Sequence, residues 1–276
     1  MISILNMEFF RIKKNKLFWA LFGVCAGLPI VTTLVYAVLI GFFNSVSDSN
    51  INASIWDLIR SSNVTTMSLS GVSSLMSDNV LLAIICASIF LSRDFACGTV
   101  RNMLLAQKSR LQIYLSHLTI SITIGACYLG VNFVSTLLFS GSIFGFGSLT
   151  AVEAITGCLV AFAMGLVSVM FIQTLMCMFL FGTRKLAVAL ICPIVICSFA
   201  PSLLLAFFQM YDALNMISTG AASTMDLSWV PLYNSSLIDI AQLDGALIGK
   251  ILMYNLPLTV FFGFMGWVRF RKVDLK

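Results

Sequence analysis

Positive charge in this chain is concentrated in every second hydrophilic segment, and no other feature of the sequence constrains the fold as tightly. Six apolar stretches can be read along it. The segment before the first carries Arg11, Lys13, Lys14 and Lys16. The connection over about 44–78 carries only Arg60, against Asp48, Asp57 and Asp78. The next, 93–110, carries Arg93, Arg101, Lys108 and Arg110, and the one after it has no Lys or Arg and one Glu153. Then come Arg184 and Lys185, an acidic stretch with Asp212, Asp226, Asp239 and Asp244, and a tail with Arg269, Arg271, Lys272 and Lys276. Of the 16 Lys and Arg residues, 14 fall in alternate segments. Lys and Arg collect in the short loops of the cytoplasmic face. The pattern predicts an all-α membrane protein with six transmembrane helices, both termini in the cytoplasm and one large basic inner loop.

Composition agrees. Hydrophobic residues make up 59% of the chain and charged residues 10%, where a soluble domain carries about 25% charged residues. Mean hydropathy is +1.01. Split by the topology, the inside holds 3 acids (Glu8, Asp94, Asp274) and the outside 8. The net charge of +5 is therefore topological. It faces an anionic inner leaflet rather than a nucleic acid.

The spans are expected over 17–43, 73–92, 111–146, 152–181, 186–208 and 249–268, in a single transmembrane domain covering 1–276. Little chain remains for a catalytic cytoplasmic domain. The apolar run Leu17–Phe43 is longer than the roughly 7–15 residues of a cleaved leader's core, so it reads as a span. Residues 1–16 read as an interfacial amphipathic helix, with Ile2, Leu5, Phe9 and Ile12 on one stripe. Gly23 and Gly27 form a G-x-x-x-G that lets another helix approach closely, a candidate subunit contact. The second apolar run is short, so its helix must begin near Ser73 or Ser74. Asp78 then sits either at the headgroups or on a transport pathway. Residues 111–146 read as one long helix protruding into the cytoplasm. Residues 186–208 contain Pro193 and Pro201, which kink membrane helices. Residues 209–248 lie outside, mildly apolar and rich in aromatics, and read as re-entrant helices.

Several chemistries are excluded. The eight cysteines form no C-x-x-C, which argues against a zinc site or a disulfide framework. His117, the one histidine, rules out H-E-x-x-H and any multi-histidine metal site. At the inner end of the third span it reads as an interfacial or packing residue. No Walker A sequence is present; Gly245-Ala-Leu-Ile-Gly249-Lys250 lacks a residue between the glycines and the following Ser/Thr. No cofactor, metal or catalytic residue is expected. Acids are scarce within the spans, so a proton-coupled carrier would be hard to build. Energy for transport would come from another polypeptide.

The 93–110 loop then reads Leu91-Ser-Arg-Asp94-Phe95-Ala-Cys-Gly98-Thr99-Val-Arg-Asn-Met-Leu104-Leu105, with Ser109-Arg110 and Tyr114 following. This resembles the first inner loop of permease subunits of the type-2 class of ABC exporters, in which an acid-aromatic-x-x-Gly-Thr run precedes an apolar-basic helix. The resemblance implies a cytoplasmic coupling helix seated on an ATP-binding subunit, with Asp94, Phe95, Gly98, Thr99, Arg101 and Leu104 carrying the mechanical link. It also implies two copies of that ATPase and a second permease, identical or paralogous. Short permeases of this shape resemble bacterial exporters of antimicrobial peptides, toxins or hydrophobic antibiotics. Gly98 would permit a bend, Thr99 would cap a helix running to about Ser109, and Val100, Met103 and Leu104 would share a docking face. The alternative is an ATP-independent membrane protein, either a secondary carrier or a scaffold or sensor subunit.

Overall fold

A computed structural model describes residues 2–46, 81–106, 109–144, 151–199 and 245–272, together with Leu203, Ala206, Phe207, Met210 and Tyr211. The described residues are all helical or in turns except Asn15, Ser109, Arg184 and Lys185. In chain order the helices are α1 (Ile2–Lys14), α2 (Lys16–Val46), α3 (Leu81–Ala96), α4 (Thr99–Leu105), α5 (Arg110–Phe144), α6 (Ala151–Thr183), α7 (Leu186–Ile194) and α8 (Gly245–Lys272). A π-helical turn, Val195–Phe199, extends α7.

Four of these helices are long and apolar enough to cross a membrane: Lys16–Val35 of α2, Arg110–Phe139 of α5, Ile155–Thr183 of α6 and Gly245–Lys272 of α8. A fifth appears if α3 and α4, bent by 57° at their junction, are taken as one broken span. The expected fifth span, 186–208, is described as a helix over α7 and its π turn, just after Pro193. Asp78 and the 209–248 segment lie outside the described residues, apart from Met210, Tyr211 and residues 245–248, which form the first turn of α8.

The long third span is one unbroken helix of 35 residues. That is about 52 Å at 1.5 Å per residue, against a hydrocarbon core of about 30 Å, so α5 must extend beyond the membrane. Helix α6 is apolar on all sides because it packs against α5, α7 and α8. Helix α2 packs on α5.

Close approaches and buried hydrogen bonds fix these pairs. The Tyr114 hydroxyl of α5 donates to the Gly263 carbonyl of α8 at 2.9 Å. A Cβ at Gly266 would fall 3.1 Å from the Met178 Cα and closer still to the Tyr114 hydroxyl. Tyr128 donates to the Phe18 carbonyl at 3.0 Å, tying α5 to α2. Ser121 donates to Gln173 Oε1 at 2.7 Å, tying α5 to α6. Without water nearby, such polar groups need partners inside the bundle.

The chain turns between α1 and α2 at Asn15, whose Oδ1 accepts from the Leu17 amide at 3.1 Å. Helix α6 stops at Arg184, which takes the left-handed conformation (φ 56°) and donates its amide to Leu180 at 2.7 Å. Arg110 Nη1 donates to the Arg271 carbonyl at 2.7 Å, closing the last turn of α8 onto the start of α5.

Candidate functional site: the α3–α4 elbow and a buried ion cluster

The bend between α3 and α4 is made by Cys97 and Gly98. Gly98 has φ 69° and ψ 14°, in the left-handed region that side chains with a Cβ disfavour. Its amide donates to the Phe95 carbonyl at 3.2 Å, and its carbonyl receives the Asn102 amide at 3.0 Å. Thr99, expected as the cap, is instead the first helical residue, and no side chain caps α4. Helix α4 ends at Leu105, earlier than the expected Ser109.

Helix α4 is turned differently from the expected docking face. Val100 and Met103 are buried in the chain's own core, and Leu104 packs against that core. Arg101, Asn102 and Leu105 point outward, Leu105 with 73% exposure. Phe95 is half-buried, its ring edge-on to Phe181 at 5.1 Å. A cleft of about 540 Å³ opens beside the elbow. Its lining brings Arg93 and Arg101 together with Arg184 of the α6–α7 turn, alongside Ser92, Phe95 and Leu186.

Asp94 points the other way. It is fully buried, and its Oδ1 lies 2.6 Å from Arg11 Nη1 of α1. The same Arg11 nitrogen donates to both oxygens of Glu8, at 2.9 and 3.0 Å. Oδ2 of Asp94 lies 3.3 Å from His117 Nε2 of α5. Glu8, Asp94 and His117 are each 0% exposed. Burial, and then the Asp94 charge, push the Glu8 carboxyl above its ordinary value, with Arg11 and His117 acting against them. Burial lowers the Arg11 guanidinium, but Asp94 and Glu8 outweigh it, and the net shift is upward. One ligand-type atom from each of Glu8, Asp94 and His117 lies within 4.8 Å of the others. Arg11 Nη1 already contacts two of these three, Glu8 and Asp94.

The interfacial helix is rotated to make this contact. Its inward stripe is Ile4, Glu8 and Ile12, with Leu5 beside it, while Phe9 and Phe10 are exposed. The expected stripe had run through Phe9. Three singletons in the sequence pointed at the cluster: the one acid in the basic N-terminal segment, the one acid in the 93–110 loop and the one histidine. Among the described residues, nothing outside the local helix lies within 4 Å of where a Cβ would stand at Gly23 or Gly27 of α2.

A family model for ABC-2 family transporter proteins matches residues 4–211, about three quarters of the chain. The chain belongs to the ABC-2 transporter family. It is a multi-pass membrane protein and a permease subunit of an ABC transporter. The match takes in the interfacial helix, the elbow and the buried cluster. Comparison with curated proteins and with solved structures returned no match.

Proposed function

We propose that this ABC-2 permease is the membrane half of an ATP-driven bacterial exporter, with both termini cytoplasmic. It would move antimicrobial or toxin peptides, or hydrophobic compounds, outward across the plasma membrane. ATP is hydrolysed by a separate subunit present in two copies, and a second permease, identical or paralogous, completes the pathway. The observation that carries this reading is the elbow. Val100 and Met103 root α4 in the bundle while Arg101, Asn102 and Leu105 are offered outward, so a push on α4 passes directly to α3 and α5.

The arginine-lined cleft supports an acidic segment on the docking partner. The lining holds Arg93, Arg101 and Arg184 and no carboxylate. The resemblance-derived residues divide by role in this reading. Arg101 meets the partner, Gly98 sets the bend, and Phe95, Thr99 and Leu104 support the helix from within. Asp94 acts through its internal partners. The open flank at Gly23 and Gly27 supports a second permease packing there. A secondary carrier would call for carboxylates deep in the spans. The buried carboxylates among the described residues, Glu8 and Asp94, both lie at the α1–α3 junction.

Co-expression with the ATP-binding subunit tests the reading. The pair should co-purify, and the chain alone should bind no nucleotide. Saturable micromolar ATP binding by the chain alone would refute the division of labour.

A further inference from the structure

The cluster joining α1, α3 and α5 holds a hydrogen-bonding contradiction that one proton resolves. His117 Nδ1 lies 2.8 Å from the Ile113 carbonyl, one turn earlier in α5. A peptide carbonyl only accepts, so Nδ1 carries a hydrogen. The other ring nitrogen faces Asp94 Oδ2 at 3.3 Å. In a neutral ring Nε2 would present a lone pair to a carboxylate oxygen, acceptor against acceptor, where both groups are fully buried.

Charge counting leads to the same place. One nitrogen of Arg11, Nη1, donates to both Glu8 oxygens. With Glu8 and Asp94 ionised and Arg11 cationic, the cluster is left with one uncompensated negative charge. Within reach of His117 the charged groups are Glu8 and Arg11 from α1 and Asp94 from α3. The α6 neighbour is the Phe181 ring, edge-on at 5.7 Å. Lys13, Lys14 and Arg93 are exposed.

We propose that His117 is held as the imidazolium, donating through Nδ1 to Ile113 and forming an ion pair with Asp94 across the 3.3 Å between Nε2 and Oδ2. This proton closes a neutral four-member ion cluster that fastens the interfacial helix to the root of the α3–α4 elbow. Its consequence for transport rests on the coupling reading above, but the protonation state does not. Glu8, Arg11 and His117 are then positioning residues for α4. Without that proton a net negative charge would stay buried at the junction. A divalent cation is the rival occupant. It would have to displace the guanidinium 2.6 Å from Asp94.

His117 is the one histidine in the chain, so isotope-labelled histidine reports on a single ring. The experiment uses the whole chain in lipid with an affinity tag free of histidine, and nitrogen NMR of the imidazole. At neutral pH both ring nitrogens should carry protons. An unprotonated Nε2 at neutral pH would overturn the proposal. So would an Nε2 signal that moves on chelation or on addition of zinc.

Variants test the charge count. His117→Gln should lower thermal stability, and adding Glu8→Gln should recover most of the loss by restoring neutrality. Losses that simply add would overturn the count. If the NMR result holds while transport is indifferent to these variants, the coupling reading fails and the cluster stands.

Discussion

Gly98 offers a test in which backbone conformation is separated from packing. The residue holds φ 69°, and a Cβ added there meets nothing within 4 Å. Replacing it therefore causes no clash. The cost is the left-handed conformation alone, roughly 1–2 kcal/mol for a residue with a Cβ and highest when it is β-branched. That penalty reduces the population of the bent elbow relative to alternatives by a factor of about 5–30. Asn tolerates this region far better than Val. The expected order of export activity is Gly98 (unmodified) above Gly98→Asn, then Gly98→Ala, with Gly98→Val lowest. Membrane levels should stay similar, since the elbow lies outside the long spans. The assay is ATP-driven export from proteoliposomes containing the permease and its ATPase, with ATP hydrolysis measured in parallel. Hydrolysis uncoupled from export would mark the elbow as the transmission point. If Gly98→Val exports as well as the unmodified chain, the 57° bend is not what couples the two subunits.

Met103→Asp and Leu105→Asp should separate two roles on one short helix. Met103 is buried in the bundle, so its variant should be lost from membranes; Leu105 is 73% exposed, so its variant should be present but release the ATPase on co-purification. Gly266→Leu should lower thermal stability in detergent by about 1–3 kcal/mol, because Tyr114 and the Met178 backbone leave no room for a Cβ. Gly23→Leu, with nothing nearby among the described residues outside its own helix, should leave the stability of a single subunit unchanged and alter only permease pairing. Arg11→Gln should destabilise by about 3–5 kcal/mol, since the buried Glu8 and Asp94 would lose their counter-ion. The Glu8 carboxyl is raised, so the folded state holds a proton the unfolded chain gives up; thermal stability should be higher at mildly acidic pH and fall as pH rises.

Charge placement and apolar run length made most of the helix order legible, because both report directly on the membrane as solvent. The single long α5 and the turn at Arg184–Lys185 appear where the sequence put them. The orientation of short helices was less legible. Val100 and Met103 looked like a docking face because they are apolar, but α4 needs them to hold itself to its own bundle. In α1 the inward stripe runs through Glu8, a position that periodicity counts as polar and therefore outward. Its burial is intelligible only with Arg11, Asp94 and His117 in place, and those partners are brought together by tertiary packing of helices distant in sequence.

The most direct test of the account is a photocrosslinking residue placed at Leu105 in intact membranes, beside a control at Met103. The account predicts that position 105 captures a polypeptide that itself binds ATP, with a yield that changes when ATP is hydrolysed, while position 103 reacts only within its own chain. Capture of an ATP-binding subunit from 103 but not from 105, or none from either, would contradict the claim that this permease is driven through the outward face of α4.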